Sequence, residues 1–342
     1  QIVESELSYL SNYQRVIINS GKISNKGWEI SVSGVPVKVK NFEWKTIFNW
    51  SKNNSMVESL PEGIDKIQIG SGVYNVKSYA EVGKPYGAIY AKTFKRDAEG
   101  YILCQLDGSP KEGQDYEYLG CVQADWRGGW NNVFRLGNFS FSVMFDFQKG
   151  GKFFSQTSIQ SSVDGQSVKS LEGRDADFFS RKILGESDEE RYGFMRPQNA
   201  NTPTANGQVY PDWGRPKGVV LPNCRYDEDV EGLAGQQVLG YCTPERYWMH
   251  YTSRDISRFI YDASYVKLRE ITVSYDLPKK WLRKTPFQTF RVAAVGRNIA
   301  TLFANTPHGL DPQATSTTGN AQGFERGFNL PSATYGFDIK VS

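Results

Sequence analysis

The sequence has few metal-binding residues, no long apolar run and no excess of charge of one sign. Its 342 residues include two histidines and four cysteines, which leaves little material for a metal site. No stretch approaches the roughly 18 consecutive apolar residues of a membrane-spanning helix. With 40 basic and 37 acidic residues the net charge is +3, which gives no indication of nucleic-acid binding. We therefore expect no metal, no cofactor, no nucleic-acid partner and no helical membrane protein.

The sequence also lacks the residue sets of common catalytic sites. It contains no nucleophile elbow, no phosphate-cradling loop and no Ser/His/Asp arrangement, and scattered carboxylates on long loops are usually only solvated. The acidic run Asp227–Glu231 lacks the spaced ligands of a calcium loop, which favours a solvated charge run. We predict that the protein is not an enzyme.

The first residues do not form a signal peptide. Gln1–Leu7 has neither a basic start nor an apolar core of about seven residues. The strand pattern described below begins in mid-pattern and is still running at Lys340–Ser342. We therefore expect this chain to be a fragment of a longer protein.

The clearest pattern present is a strict alternation of apolar and polar residues. It is strongest over residues 138–148 and recurs over 42–51 and 332–341. In the first segment the apolar side carries Phe139, Phe141, Val143, Phe145 and Phe147, and the other side carries Ser140, Ser142, Met144, Asp146 and Gln148. A period of two predicts a strand with one apolar and one polar face.

Two readings of such strands remain open from the pattern alone. In a soluble sandwich the apolar face packs on a second sheet and the polar face meets water. In a membrane barrel the apolar face meets lipid, so that Phe139 to Phe147 would point outward and Asp146 toward the lumen. Several runs reach ten or more residues, which exceeds the usual five or six of soluble strands and fits the roughly 9 to 11 of a membrane strand.

The connections between the strands are sorted by length. The pattern predicts nine strands, over residues 14–35, 40–52, 64–80, 86–94, 126–136, 138–149, 259–276, 287–300 and 331–342. Short turns near 36–40, 81–84, 137 and 277–286 alternate with long connections near 52–63, 95–125, 150–258 and 301–330. An outer-membrane barrel has tight periplasmic turns and long extracellular loops, whereas a soluble sandwich has no reason to sort its loops in this way. The alternation favours an all-β transmembrane antiparallel barrel.

In the seventh of these strands the apolar face changes sides. Val266 and Leu268 share one side, whereas Ile271, Val273 and Tyr275 share the other. A β-bulge near Arg269 and Glu270 would reconcile the two halves.

The cysteines fall into two sequence-local pairs. Cys104 with Cys121, and Cys224 with Cys242, each lie in a Gly-rich polar segment without CxxC spacing, which argues against zinc and thioredoxin-type redox sites. Two disulfides on the extracellular side and four reduced thiols are about equally compatible with this spacing. We carry the two pairings forward as a prediction.

Several segments resemble a known family. Asn19–Glu29, Val82–Tyr90, Asp262–Pro278 and Leu330–Val341, together with 296–300 and 309–312, resemble in order the C-terminal half of SusC/RagA-type TonB-dependent outer-membrane transporters of Bacteroidetes. The resemblance implies an outer-membrane barrel of about 22 strands with an N-terminal plug. Residues 1–342 would be its C-terminal portion, about the last nine strands, without the plug and the earlier strands.

The resemblance also implies a function and partners. A SusD-like surface lipoprotein would close the barrel as a lid, and energy delivered by the TonB system through the absent N-terminal part would move the ligand inward. The ligand would be an oligosaccharide most often and a peptide sometimes. A passive porin and a soluble glycan-binding β domain remain the rival readings.

Contacts with ligand and lid are expected mainly in the long connection 150–258. Aromatic faces stack on sugar rings, and amides or carboxylates bond hydroxyls. The candidates on this ground are Tyr210, Asp212, Trp213, Arg246, Tyr247 and Trp248. The alternative, which we weight more heavily, is that these aromatics pack loops on one another or against the lid.

Overall fold

The structure is a computed structural model that describes residues 2–6, 15–19, 21–106, 108–171, 219–242, 247–307, 309–314, 322–327 and 332–342. The described part consists of one seven-stranded antiparallel sheet of long strands and several small sheets built from the connections between them. The predicted all-β class is confirmed.

Strands are numbered in chain order. The large sheet contains β3 (Lys22–Val39), β4 (Phe42–Ser59), β10 (Trp126–Leu136), β11 (Phe139–Lys149), β16 (Tyr265–Asp276), β17 (Phe290–Ala304) and β19 (Thr334–Val341). The other strands are β1 (Ile2–Glu6), β2 (Arg15–Asn19), β5 (Lys66–Ser71), β6 (Lys77–Glu81), β7 (Ala88–Ala91), β8 (Ile102–Cys104), β9 (Glu117–Cys121), β12 (Lys152–Ser155), β13 (Val219–Tyr226), β14 (Gln237–Cys242), β15 (Ile260–Asp262) and β18 (Phe324–Glu325). Among the described residues there are two short α-helices, α1 (Gln156–Val163) and α2 (Lys279–Leu282). Neither helix is long and apolar enough to cross a membrane.

The strands of the large sheet follow one another almost in chain order. Their spatial order is β19, β17, β16, β11, β10, β4, β3, and every neighbouring pair is antiparallel. The turns β3–β4, β10–β11 and β16–β17 are short and share one end of the sheet, whereas the connections 60–125, 150–264 and 305–333 share the other. The predicted sorting is confirmed for the short turns near 36–40, 137 and 277–286, whereas the predicted short turn near 81–84 lies inside the long connection 60–125.

Two of the nine predicted strands do not belong to the large sheet, so the prediction is wrong for them. Residues 64–80 and 86–94 instead supply β5, β6 and β7 of a separate four-stranded sheet with β9, inside the first long connection. All four residues of β7 are buried, which does not fit a strand with one lipid-facing side. Tyr74 and Asn75 have positive φ angles of 56° and 58°, so the chain turns where one long strand was predicted.

The first predicted strand is divided at Gly21. This residue has a φ of +75°, and a Cβ built on it would lie 1.9 Å from the carbonyl oxygen of Ser59. Only glycine fits both the backbone angle and the contact. The long strand β3 therefore starts at Lys22 and extends to Val39.

The two faces of the large sheet are those predicted from the alternation. Trp44 and Phe134 stack with ring centroids 5.9 Å apart, Phe134 and Phe141 with 6.1 Å, and Trp130 and Phe145 with 5.9 Å, so aromatic rings run across β4, β10 and β11. We call this side the aromatic face and the opposite side the polar face. Phe139 is 57% exposed and Phe141 40%, which shows that no second sheet covers the aromatic face within the described residues.

The predicted bulge is present in β16. The register between β11 and β16 pairs Phe145 with Leu268 and Met144 with Glu270, so Arg269 is the extra residue. A bulge redirects the side chain it carries. The Arg269 guanidinium consequently reaches Asp146 on the polar face.

The long connections pack into shared apolar cores at one end of the sheet. One cluster joins Ile89 of the first connection, Phe154 and Phe259 of the second, and Phe324 of the third. Strand pairing links them as well, because β8 pairs with β13 and β12 pairs with both β15 and β18. The described parts of these connections are therefore a folded layer and not independent loops.

Candidate ligand-binding surface

Two cavities lie on the polar face of the large sheet. A cavity of about 500 Å³ is lined by residues of β3, β4, β10 and β11, including Glu29, Asn49 and Ser51. A second of about 400 Å³ lies nearer the long connections, and its lining includes Lys152 of β12 and Tyr265 of β16. Arg127 and Asp146 line both, so the two cavities form one polar surface. We call it the polar cavity.

Strand register explains why these side chains meet. Ser31, Asn49, Gly129, Asp146 and Lys267 are direct cross-strand partners in a row over five strands. Side chains opposite one another on antiparallel strands share a face, so the polar residues of the row point the same way. A Cβ at Gly129 would make only ordinary van der Waals contact, with the nearest atom 3.8 Å away, so a small side chain would fit in the middle of the row without a clash.

Asp146 is the centre of a hydrogen-bond network on the wall of the polar cavity. Arg269 donates to its carboxylate through Nε at 3.2 Å and also through a terminal nitrogen. The Tyr265 hydroxyl donates to the same oxygen at 3.2 Å, and Arg269 donates to Asn298 at 2.7 Å. Charge-assisted bonds of this kind fix side chains firmly. Asp146 is therefore held as part of the wall. Among the described residues, the side chain of Arg127 donates a hydrogen bond only to Gln148, at 3.0 Å, so its positive charge has no acidic partner there.

Residues 309–314, here called the Asp311 segment, fold onto the polar face. Lys267 donates to both carboxylate oxygens of Asp311 at 2.6 Å and to the Gln313 side-chain oxygen at 2.9 Å. The Gln313 amide donates in turn to the Tyr265 hydroxyl at 2.6 Å. Lys267 is only 4% exposed, and Pro312 and Gln313 line the polar cavity. The ion pair thus holds one wall of the cavity in place.

A second ion cluster stabilises the long connections. Asp227, which is 3% exposed, accepts hydrogen bonds from Lys95 at 2.9 Å and from Lys111 at 2.8 Å. Burial alone would raise the pKa of Asp227, but these two lysines and the Glu228 backbone N–H outweigh it and lower the pKa to about 2. The predicted solvated charge run is therefore wrong for Asp227, although the Asp229 side chain is 70% exposed. Lys95 and Lys111 belong to the first connection and Asp227 to the second, so the cluster joins them.

The predicted ligand and lid contacts have different outcomes. Tyr210, Asp212, Trp213 and Arg246 lie outside the described residues. Tyr247 and Trp248 are 0% and 2% exposed and pack edge to face at 5.1 Å in a core with Phe94 and Leu221. For these two residues we therefore correct the predicted contact with ligand or lid. They follow the alternative prediction, in which the aromatic side chains pack the connections against one another.

The predicted disulfide pairings are also corrected. Cys104 lies in β8, whereas Cys121 lies in β9 of another sheet and donates to the Tyr86 carbonyl at 3.4 Å. Cys242 is opposite Val219, while Cys224 is opposite Val238, which separates the two cysteines by about 13 Å along the strands. A disulfide needs Cα atoms within about 7 Å. Cys104 is instead close to Cys224, and its hydrogen bond lowers the pKa of the Cys224 thiol.

Sequence reasoning identified Asp146 but missed most of the other residues of this surface. Arg127 and Lys267 lie in strands, and extending the alternation across them would have placed both on the polar face. Asp311 lies in an irregular segment, where no periodic signal exists. Only a long-range contact reveals its role.

The sequence was compared with protein families and with curated proteins. No protein-family model matches the chain. The TonB-dependent receptor P3 of Formosa agariphila is 24% identical over 341 residues, which cover 93% of this chain and 28% of that protein. The TonB-dependent receptor P26 of the same organism is 28% identical over 156 residues, which cover 40% of this chain and 16% of that protein. The chain is similar in sequence to the TonB-dependent receptor P3 over nearly all of its length.

The fold of the chain is similar to that of solved transporter structures. The chain matches the RagAB peptide transporter over its whole length with a TM-score of 0.57 and 14% identity, and covers 32% of that chain. The RagAB peptide importer in its closed-closed state gives a TM-score of 0.56 and 15% identity, with the same coverage. The predicted SusC/RagA-type resemblance and the partial-barrel fold are confirmed. The TonB-dependent relatives are named as receptors and transporters, which agrees with the prediction that this chain is not an enzyme.

The chain spans about a third or less of the length of the proteins that it matches. Its seven-stranded sheet corresponds to part of a barrel wall. Within the described residues no group of His, Cys, Asp and Glu is arranged to hold a metal ion. In the part of the chain that the structure describes, the polar cavity combines hydrogen-bonding groups with charges of both signs, which makes it the candidate ligand-binding surface.

Proposed function

We propose that residues 1–342 are the C-terminal portion of an outer-membrane barrel that imports a nutrient with energy from TonB. In this proposal the aromatic face meets lipid and the polar face lines the lumen. The observation that carries it is the asymmetry of the large sheet, which has aromatic rows exposed on one face and the polar cavity on the other. A barrel in a membrane needs this division, because lipid-facing and lumen-facing residues alternate along each strand.

The proposal includes two protein partners. A SusD-like surface lipoprotein would cover the end that carries the long connections, which form a folded layer and so present a defined surface. The TonB system would act through the N-terminal part of the complete protein. The RagAB assemblies, to which the fold is similar, support a two-component importer.

The substrate proposed first is an oligosaccharide. The lining of the polar cavity includes the hydroxyls of Ser31 and Ser51 and the amides of Asn49, Gln148 and Gln313. Such groups can donate to and accept from sugar hydroxyls, and a binding site uses a few of them to orient its ligand.

A peptide is the second candidate, and one observation favours it. Glu29 and Arg127 line the same cavity, so a negative and a positive side chain both face the space that a ligand would occupy. A peptide carries complementary charges at its ends and on its side chains, whereas a neutral glycan carries none. The similarity to proteins named as peptide transporters agrees with this candidate.

Binding to the complete transporter and its lipoprotein distinguishes the two substrates. Calorimetry would use a panel of neutral oligosaccharides and a panel of short peptides. For a glycan we expect Asn49→Ala to reduce affinity about fivefold to tenfold, and Arg127→Gln to have little effect, because a neutral hydrogen bond contributes about 1 kcal/mol. For a peptide we expect Arg127→Gln to reduce affinity by more than about tenfold, since charged hydrogen bonds contribute about 1.5 to 3 kcal/mol.

The matched control is Arg135→Gln. Arg135 lies on the same face of β10 as Arg127, but near the short turn and outside both cavities. It should leave affinity unchanged for either ligand class. If neither panel binds, or if Arg135→Gln weakens binding as much as Arg127→Gln, the polar cavity is not the ligand site.

The lipid-facing assignment makes a separate prediction. Phe145 lies on the aromatic face near the middle of β11, and Ser142 lies on the polar face of the same strand. Phe145→Arg should destabilise the inserted barrel by about 2 to 4 kcal/mol, because it would place a cation in hydrocarbon. Ser142→Arg, which points into the lumen, should cost far less. The amount of heat-resistant, membrane-inserted protein measures the difference, and equal losses from both variants would contradict the assignment.

A further inference from the structure

The turn between β16 and β17 differs from the other two short turns. Those between β3 and β4 and between β10 and β11 each have two residues, whereas this one spans 277–289 and contains α2. Leu282 is 6% exposed and fixes the turn to the protein. Trp281, one position earlier, is 60% exposed. The turn therefore presents a large apolar side chain to its surroundings from a fixed base.

Four cations surround this tryptophan. Lys279, Lys280, Arg283 and Lys284 are all exposed, and no ion pair joins any of them to an acid in the described part of the chain. The nearest acid along the sequence, Asp276, is already paired with Arg291 at 2.6 Å. We call residues 279–284 the basic turn. Within the described residues no ion pair compensates its charge.

The basic turn lies where the aromatic face ends. At this end of the sheet Leu136 is 61% exposed and Phe139 57%, and Phe139 contacts Tyr275 with ring centroids 4.6 Å apart. Asp276, the residue after Tyr275, ends β16, and the turn follows at once. In the proposed barrel this is the level at which hydrocarbon gives way to lipid headgroups. Tryptophan is enriched at that level, and exposed Lys and Arg side chains can reach the phosphates there.

We propose that the basic turn binds the headgroup phosphates of anionic phospholipids in the leaflet next to the short turns. The inference rests on the proposed function, since it requires the aromatic face to be in lipid. Charge complementarity identifies the occupant: four cations without acidic partners attract an anionic surface, and Trp281 inserts beside them. A zwitterionic lipid could surround the Trp281 side chain equally well, but it has no net negative charge to compensate the four cations.

The test uses the complete transporter in vesicles of phosphatidylcholine with a minor fraction of phosphatidylglycerol. Protein is extracted gently and its retained lipids are measured by mass spectrometry. We expect phosphatidylglycerol to be enriched roughly tenfold over the bulk composition, and the enrichment to fall with added salt. In the variant with Lys279→Gln, Lys280→Gln, Arg283→Gln and Lys284→Gln it should fall to a few-fold or less.

Two control variants separate charge from other effects. Lys279→Arg with Lys280→Arg and Lys284→Arg keeps the charge and should keep the enrichment. Lys45→Gln removes an exposed cation on the polar face of β4, which points away from lipid, and should leave the enrichment unchanged. Unchanged enrichment in the four-Gln variant, or displacement of the lipid by inorganic phosphate, would overturn the inference.

Membrane insertion and ligand binding are measured in the same samples, because this separates the two proposals. Normal insertion and ligand binding together with unchanged lipid enrichment would reject only the lipid site. Failure of the unmodified protein to insert would reject the proposed function itself. Loss of enrichment with normal insertion supports the inference directly.

Discussion

Asp311→Ala is expected to release the Asp311 segment from the polar face and to destabilise that contact by about 3 to 5 kcal/mol. The reason is that Lys267, which is 4% exposed, would keep its charge without the carboxylate that now lies 2.6 Å away. A buried charge that loses its partner cannot recover the solvation that it gave up on folding. Hydrogen exchange of residues 309–314 in the complete transporter measures the effect as faster exchange by more than about a hundredfold.

Two variants control this prediction. Replacing both partners, Lys267→Met with Asp311→Leu, removes the unpaired charge and should recover much of the lost protection. Asp338→Ala changes an exposed acid in β19 and should alter stability by no more than about 0.5 kcal/mol. If Asp311→Ala exchanges at the same rate as Asp338→Ala, the ion pair does not hold the segment. Because Pro312 and Gln313 line the polar cavity, loss of ligand affinity should accompany the release.

Acidification is expected to loosen the long connections through Asp227. Its pKa is lowered in the folded protein to about 2, below the roughly 3.9 of an unfolded aspartate. Because the pKa is lower in the folded protein, the contribution of Asp227 to the free energy of unfolding is complete above about pH 4 and is lost as the pH falls toward 2. The shift corresponds to about 2.6 kcal/mol, which we reduce to about 1 to 2 kcal/mol because the Lys95 side chain is 46% exposed and partly screened by water.

Proteolysis or hydrogen exchange of residues 219–242 between pH 6 and pH 2 checks this prediction. The parent protein should lose protection over the lower half of that range, whereas Asp227→Asn should begin less protected and change less. Asp229→Asn provides the control, since its side chain is exposed and shares only Lys111. A parent and an Asp227→Asn variant with the same pH profile would show that another group causes the acid sensitivity. Asp97 is one such group, because burial raises its pKa but bonds from Tyr101 and Arg225 lower it on balance.

The sequence by itself determined the properties that repeat every two residues. The alternation in β11 assigned Phe145 to one face and Asp146 to the other, and the structure places each with the expected neighbours, Trp130 and Arg269. The change of parity in β16 located the bulge at Arg269. Such features are readable because the direction of a side chain in a strand depends only on the backbone next to it.

Only the tertiary structure decided which segments lie side by side. Residues 64–80 and 86–94 have strand-forming sequences, yet they belong to the four-stranded sheet of the first long connection. A strand of that small sheet and a strand of the large sheet show the same local alternation, so the sequence does not tell which sheet a strand joins. Cys104 lies near Cys224 and not Cys121 because β8 pairs with β13, which follows it by more than a hundred residues. Tyr247 and Trp248 are buried because the first and second long connections pack against each other. These contacts depend on pairing between segments that are far apart in the sequence. The alternation within each segment does not indicate which distant segment it pairs with.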